Sequence, residues 1–390
     1  MPSSEPIVFC QGVAIEALEG RRLFSGGVNG FVTQTNLVSD GFVSANHLDP
    51  QLKNPWGVSF QPGGPLWVSD NNSGVSTFYD ATGVEQGVVA IPGGDGGSGN
   101  PTGQVFNPGP GFPVTKNGVS GPANFIFVGE DGGISGWNPS VDPNNAVIAV
   151  NNAASGAVYK GATLGVVNGK TELFAANFHG GTIEAYDDAF SLVQIPGGFH
   201  DRRIPKGFAP FNVQDINGQL YVTYAKQDVT GQNDVGGAGN GFVNVYDTGG
   251  RLLHRLQHGQ FLDSPWGVAT APSTWGRFAG DILVGQFKSG QIALFNPRSG
   301  SFLGMLRDQS NKPVQIDHLW ALTSGSGSPL EGAGTLYFTA GLNAEADGLF
   351  GTVTFTPAAK PHLKPRAHNP PAHNPAPTGG MPTPTRGFYG

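Results

Sequence analysis

An all-β fold, a ring of six four-stranded blades forming a β-propeller, is what the sequence predicts, and three observations carry it. Short apolar-alternating runs fill residues 31–357, Gly and Pro punctuate them, and the pattern restarts about every 53 residues. A period near that length, built from short strands, marks propeller blades. One such unit cannot bury both of its faces alone, so the units must stack into a ring.

The repeat is clearest in two units. Asn54-Pro55-Trp56-Gly57-Val58-Ser59-Phe60 leads through a Gly-Gly turn to Leu66-Trp67-Val68-Ser69-Asp70, and Ser264-Pro265-Trp266-Gly267-Val268-Ala269 leads to Asp281-Ile282-Leu283-Val284-Gly285-Gln286. Four looser units open near Pro101, Tyr159, Pro210 and His318, so the spacings run from 46 to 58 residues. Each unit reads as strand, Gly-rich turn, strand, Gly-rich turn, strand and then an outer strand such as Gln86–Ile91 or Leu252–Leu256.

The sixth unit ends one strand short, after Phe350-Gly351-Thr352-Val353-Thr354-Phe355, while Phe31–Leu37 is a strand-like run left over at the other end. The N-terminal run is therefore expected to pair with the last blade and close the ring, which removes an exposed edge.

The flanks read differently. Residues 1–30 lack periodicity and form a leader, and residues 358–390 form a tail rich in Pro, Ala, His and Asn that cannot pack a core. The tail histidines His362, His368 and His373 have no fixed geometry for a metal. Cys10 is the only cysteine, which excludes a disulfide framework and a thiolate metal site.

Charged residues make up 13% of the chain and the formal net charge is −7. With no basic stripe, a nucleic-acid partner is not expected. No run approaches a membrane-spanning helix. A monomer is expected, with a small molecule, a glycan or a protein as the partner at one propeller face.

Pro-Trp-Gly-Val followed by Leu-Trp-Val-Ser-Asp-Asn resembles NHL repeats. Gly132-Gly133-Ile134-Ser135-Gly136-Trp137-Asn138-Pro139, Pro210-Phe211-Asn212-Val213-Gln214 and Asp347-Gly348-Leu349-Phe350-Gly351 extend the resemblance to an uncharacterised family of exported bacterial NHL-like six-bladed propellers, over about residues 35–356. The resemblance implies the fold and assigns no reaction. Ile15-Glu16-Ala17-Leu18-Glu19-Gly20-Arg21-Arg22-Leu23-Phe24-Ser25 resembles the LExRxLLS export motif of planctomycetes and related bacteria, which implies an exported, extracytoplasmic protein. A short exposed helix without address value is the other reading of that segment.

In a propeller of this strand order, the loops after the second strands ring the channel mouth. They bring forward Asp70, Asn71, Glu130, Asp131, Asn177, His179, Lys226 and Gln286 as candidate ligand-binding residues. Turn chemistry accounts for Asp, Asn and Gly at such positions equally well. Six-bladed gluconolactonase-like hydrolases hold a divalent cation in the channel, and resemblance to them nominates Asp70, Asn124, Glu130, Asn177 and Asn212 as oxygen ligands for Ca²⁺ or another divalent ion. Asn54 stands where that family has a carboxylate.

The leading expectation is an exported, non-catalytic binding or scaffold propeller without a cofactor. The alternative is a metal-dependent, lactonase-type hydrolase at the channel mouth. Trp56 and Trp266 read either as packing between neighbouring blades or as a stacking platform for a sugar.

Overall fold

The structure is a computed structural model that describes residues 30–325 and 334–357, together with Gly379, Gly380 and Gly387. The chain divides into two compact units, residues 1–358 and 359–390. The leader motif, Cys10 and the tail histidines lie outside the described residues.

Six antiparallel sheets form the first unit, a six-bladed β-propeller. Blade one comprises Pro55–Phe60, Leu66–Asp70, Val75–Tyr79 and Glu85–Ala90. The inner strands of blades two to six are Pro101–Phe106, Tyr159–Val167, Phe208–Ile216, Pro265–Thr270 and Leu319–Ser324. Each inner strand packs on the next, and the sixth packs on the first, so the ring is closed.

Alternation and turn chemistry explain the strands. Asn168-Gly169 and Asn217-Gly218 adopt left-handed conformations in the tight hairpins of blades three and four, the geometry that two-residue type I′ turns demand. Between blades, apolar side chains interdigitate, as with Leu283, Leu294, Leu319, Leu322 and Phe338 between blades five and six. Each such fully buried side chain contributes roughly 1.5–3 kcal/mol.

The glycine after Trp56 and the one after Trp266 have a steric reason. A Cβ on Gly57 would sit 2.6 Å from the Thr102 carbonyl oxygen of the next blade, and one on Gly267 would sit 2.5 Å from that of Trp320. Inner strands approach one another there closely enough that only hydrogen fits.

The ring closes as the strand count requires. Gly30–Ser39 pairs antiparallel with Leu349–Pro357, placing Phe31 opposite Thr356, Val32 opposite Phe355 and Thr35 opposite Thr352. Lys53 then bridges Asp40 and Asp347 at 2.5 and 3.0 Å, tying the N-terminal segment, the first blade and the last blade together. Two additions were not legible in the repeat. A short parallel strand, His47–Leu48, extends the closing sheet, and a hairpin, Pro113–Lys116 with Val119–Pro122, is inserted in blade two. Leu319, not His318, takes the place of the opening proline in blade six, because Leu319 pairs with Ala340 as Pro265 pairs with Gln286. Among the described residues no helix is long and apolar enough to cross a membrane.

Candidate functional site

The site begins with a register slip. In all six blades the pairing of inner and second strands shifts just after the opening residue. Such a bulge re-aims a side chain. The residues at this step are Trp56, Lys160, Phe211, Trp266 and Trp320, with Thr102 at the matching place in blade two.

The four aromatics, joined by Phe178 and Phe287, form one buried cluster that fills the channel. Trp56 stacks on Trp320 at 3.4 Å between ring centroids, and Trp320 stacks on Phe287 at 3.8 Å. Trp266 meets Trp56 edge-on at 6.0 Å. Trp56 and Trp266, from blades one and five, each pack on Trp320 of blade six between them and also meet one another. Trp320 is sandwiched between two rings, so neither of its faces is free to stack on a sugar.

Above this plug lies a polar cavity of about 320 Å³, and below it a wider funnel of about 830 Å³. No lining residue is shared between them, and only about 20 Å³ opens at the waist beside Trp266 and Asn212.

Charges line the upper cavity blade by blade: Glu130 from blade two, Lys160 from three, Asp234 from four, Lys288 from five and Glu345 from six. Blade one supplies the amides of Asn54, Asn71 and Asn72. The signs alternate around the ring. Lys160 is almost wholly buried, pairs with Glu130, and holds its ammonium 5.1 Å from the Trp56 ring centroid, a cation–π contact. Asn71 donates to the other Glu130 oxygen at 3.0 Å. Lys288 lies 3.7 Å from Asp234, close enough for attraction but too long for a hydrogen bond.

Glu345 reaches the cavity on a strained turn, since Asn343, Ala344 and Glu345 all have positive φ. Such conformations cost of order 1–3 kcal/mol each and gather at functional sites. Burial pushes the Glu345 carboxyl above its ordinary range and nearby Glu130 adds to this, while Lys288 and a hydrogen bond from Asn54 oppose it.

Two residues that line this cavity each hold a buried polar atom without a hydrogen bond. The indole N–H of Trp56 and one carboxylate oxygen of Asp234 are buried without a hydrogen bond, whereas Trp266 donates to the Lys160 carbonyl and Trp320 to Asn54. Leaving a buried polar group unsatisfied costs about 1–3 kcal/mol.

Of the eight candidate ligand-binding residues, Asn71 and Glu130 line the cavity. Asp70 does not: it is fully buried inside blade one, where one oxygen accepts from the Thr77 amide and hydroxyl, and burial drives its carboxyl well above the ordinary range. Asp131 accepts the amides of Gly94, Asn100 and Gly133 and so organises a turn. Asn177 bonds Glu184 and the Gly180 amide. Gln286 bonds the Val284 carbonyl and the Asp263 amide. His179 and Lys226 are exposed beyond the cavity rim.

The donors nominated for a divalent cation are not brought together. Asn124 precedes the second strand of blade two and Glu130 follows it, so the two stand at opposite ends. Asp70 is enclosed in its blade, Asn177 holds a turn, and Asn212 donates to the Trp266 carbonyl at the waist. Among the described residues no group of three or more His, Cys, Asp or Glu is placed to hold a metal. The residues present do not fit the channel cation of gluconolactonase-like hydrolases.

Lys160, Asn233, Asp234 and Trp320 escaped sequence reasoning as site residues. For Lys160 a signal existed: Tyr159-Lys160-Gly161 occupies the place of Pro55-Trp56-Gly57, which puts a lysine where three other blades carry tryptophan.

The fold and this mouth define a six-bladed β-propeller whose channel is closed by an aromatic plug beneath a polar, charge-alternating cavity. No family model matches the chain. It is 31% identical over 325 residues to uncharacterized protein L690 of Acanthamoeba polyphaga mimivirus, covering 81% of this chain and 84% of that protein. It is also 29% identical over 322 residues to uncharacterized protein R648 of the same virus, covering 81% and 78%. The chain belongs to the family of these mimivirus proteins. The curated relatives are thus viral, and not the exported bacterial proteins that the repeat motifs resemble.

Among solved structures, a protein of unknown function from Bacteroides thetaiotaomicron aligns with a TM-score of 0.52 and 8% identity, covering 84% of this chain and 76% of that one. An alpha-L-arabinanase from Penicillium chrysogenum, complexed with arabinobiose, aligns at 0.50 and 13%, covering 83% and 97%. At such identities the likeness shows the fold alone.

Proposed function

We propose that this chain is an exported, non-catalytic binding propeller that holds a small polar molecule in the upper mouth of its channel. The observation that carries binding is the polar cavity itself, two of whose lining residues, Trp56 and Asp234, each hold a buried polar atom without a partner. Buried polar atoms are normally satisfied, and a ligand touching both would satisfy them. The pairing of Lys160 with Glu130 supports holding over proton transfer, because each neutralises the other. The lactonase-type alternative requires a cation that the nominated donors do not gather around. Export rests on the segment from Ile15 to Ser25.

The test is a thermal-shift screen of polar metabolites against the wild type and Asp234→Asn, followed by NMR of each hit after prolonged incubation. Stabilisation of the wild type, weakened in the variant, with the compound recovered unchanged, is the expected result. Conversion of the compound would establish an enzyme, and hits indifferent to Asp234→Asn would move the site elsewhere. Removal of residues 1–28 should abolish secretion from a bacterium that exports proteins bearing this leader motif.

A further inference from the structure

The charge pattern of the mouth narrows what the ligand can be. We propose, resting on the binding reading above, that the mouth is built for an uncharged, compact cyclic polyol of monosaccharide size.

The first argument is the alternation. Glu130, Lys160, Asp234, Lys288 and Glu345 come from five successive blades with signs −, +, −, +, −, and the three asparagines of blade one complete the circle. An anion drawn to Lys160 meets Glu130 and Asp234 beside it, and a cation drawn to Asp234 meets Lys160 and Lys288. Like-charge contacts of this kind suppress wrong partners. A hydroxyl avoids the conflict because it donates and accepts at once. Hydroxyl groups set around a small ring meet donors and acceptors in turn, as the blades present them.

The second argument is the spare capacity. The two unpartnered atoms are one donor, on Trp56, and one acceptor, on Asp234. Lys160 carries three donors, and Glu130 is its hydrogen-bond partner among the described residues. Lys288 and Asp234 stand too far apart to hydrogen-bond each other, so each keeps capacity for a hydroxyl set beside the pair. A purely anionic ligand would leave Asp234 unsatisfied, and a purely cationic one would leave Trp56 so.

The third argument is size and shape. At about 30 Å³ per water molecule, the cavity of about 320 Å³ takes roughly ten waters, the space of one six-membered ring with its hydroxyls and a few bridging waters. Recognition runs through hydrogen bonds, because rings cover both faces of Trp320 and Lys160 holds its ammonium over the Trp56 ring.

Isothermal titration, with tryptophan fluorescence as a second readout, tests this. The probes are myo-inositol, D-glucose and D-galactose as neutral polyols, D-gluconate as an anion, D-glucosamine as a cation and glycine as a zwitterion. At least one neutral polyol is expected to bind, at least tenfold tighter than every charged or zwitterionic probe. Asp234→Asn and Asn72→Ala should each weaken it at least tenfold with the melting temperature nearly unchanged, while Lys226→Ala, outside the cavity, should leave it unaltered. Tighter binding of gluconate, glucosamine or glycine, lost in Asp234→Asn, overturns the polyol assignment and leaves the mouth reading intact. A polyol that binds equally well to Asp234→Asn and Asn72→Ala sits elsewhere and overturns both. Silence from all three polyols overturns the polyol assignment, and the metabolite screen then judges the mouth independently.

Discussion

The two ends of the channel are made from the same six inner strands and differ in nearly everything else. The lower funnel is lined by Val58, Phe60, Phe106, Val166 and Ile216, and among the described residues Asp215 is its one charged lining residue. The upper mouth gathers five charged side chains from five blades. Loop construction accounts for the contrast. At the lower end, blades three and four close with two-residue Asn-Gly turns that leave no chain to carry a side chain over the opening. At the upper end, residues 227–240 and 341–348 bridge between strands and bring Asn233, Asp234 and Glu345 to the cavity. Rigid strands that carry functional side chains on their loops are the usual way a scaffold holds a site.

Four expectations test this division, from the largest effect to the smallest. Trp320→Ala should lower stability by about 3–5 kcal/mol in denaturant titrations, the cost of truncating a buried aromatic, because it opens the stack between Trp56 and Phe287. A neutral outcome would mean that the plug is not what separates the two ends.

Next comes the buried pair. Glu130→Gln leaves the Lys160 ammonium buried without its counter-charge and should cost about 3 kcal/mol. The double variant Glu130→Gln with Lys160→Met should recover much of that loss. Without recovery, the pair's coupling is refuted.

Asp70→Ala should cost about 1–3 kcal/mol, since it strands the amide and hydroxyl of Thr77. The affinity of any mouth ligand should not change. The sequence nominates Asp70 as a ligand-binding residue, so this variant separates that reading from a structural one directly.

The smallest effect concerns pH. Burial raises the Glu345 carboxyl above its ordinary value of 4.5, so the folded state holds that proton more tightly than the unfolded chain. The corresponding stability is present below the ordinary value and is lost as pH rises through the raised one. Glu345→Gln should flatten this part of the stability profile. An unchanged slope in denaturant midpoints taken below and above the carboxylate range would refute the assignment.

Sequence reasoning succeeded and failed for identifiable reasons. The closing strand was legible because strands are counted locally, and a deficit after Phe355 matched a surplus at Phe31. The nominated metal donors are scattered because a sequence does not say at which end of a strand a residue lies, and Asn124 and Glu130 stand at opposite ends of one strand. Most mouth candidates failed because Asp131 and Asn177 serve the turns in which they sit. Lys160 was passed over because its blade lacks the Pro-Trp-Gly signature that made the others visible.

By itself, then, the sequence determined the all-β class, the number of blades, the Gly positions where inner strands touch and the strand that closes the ring. Each follows from alternation, turn residues and a repeat length, which are readable within one unit of about 53 residues. Only the tertiary structure decided that Trp56, Trp266 and Trp320 meet one another, and that Glu130, Lys160, Asp234, Lys288 and Glu345 face one cavity. Those contacts join residues up to 264 positions apart, Trp56 to Trp320, and no local pattern encodes them. Ring closure brings them together, and a bulge in each inner strand turns one side chain per blade toward the axis.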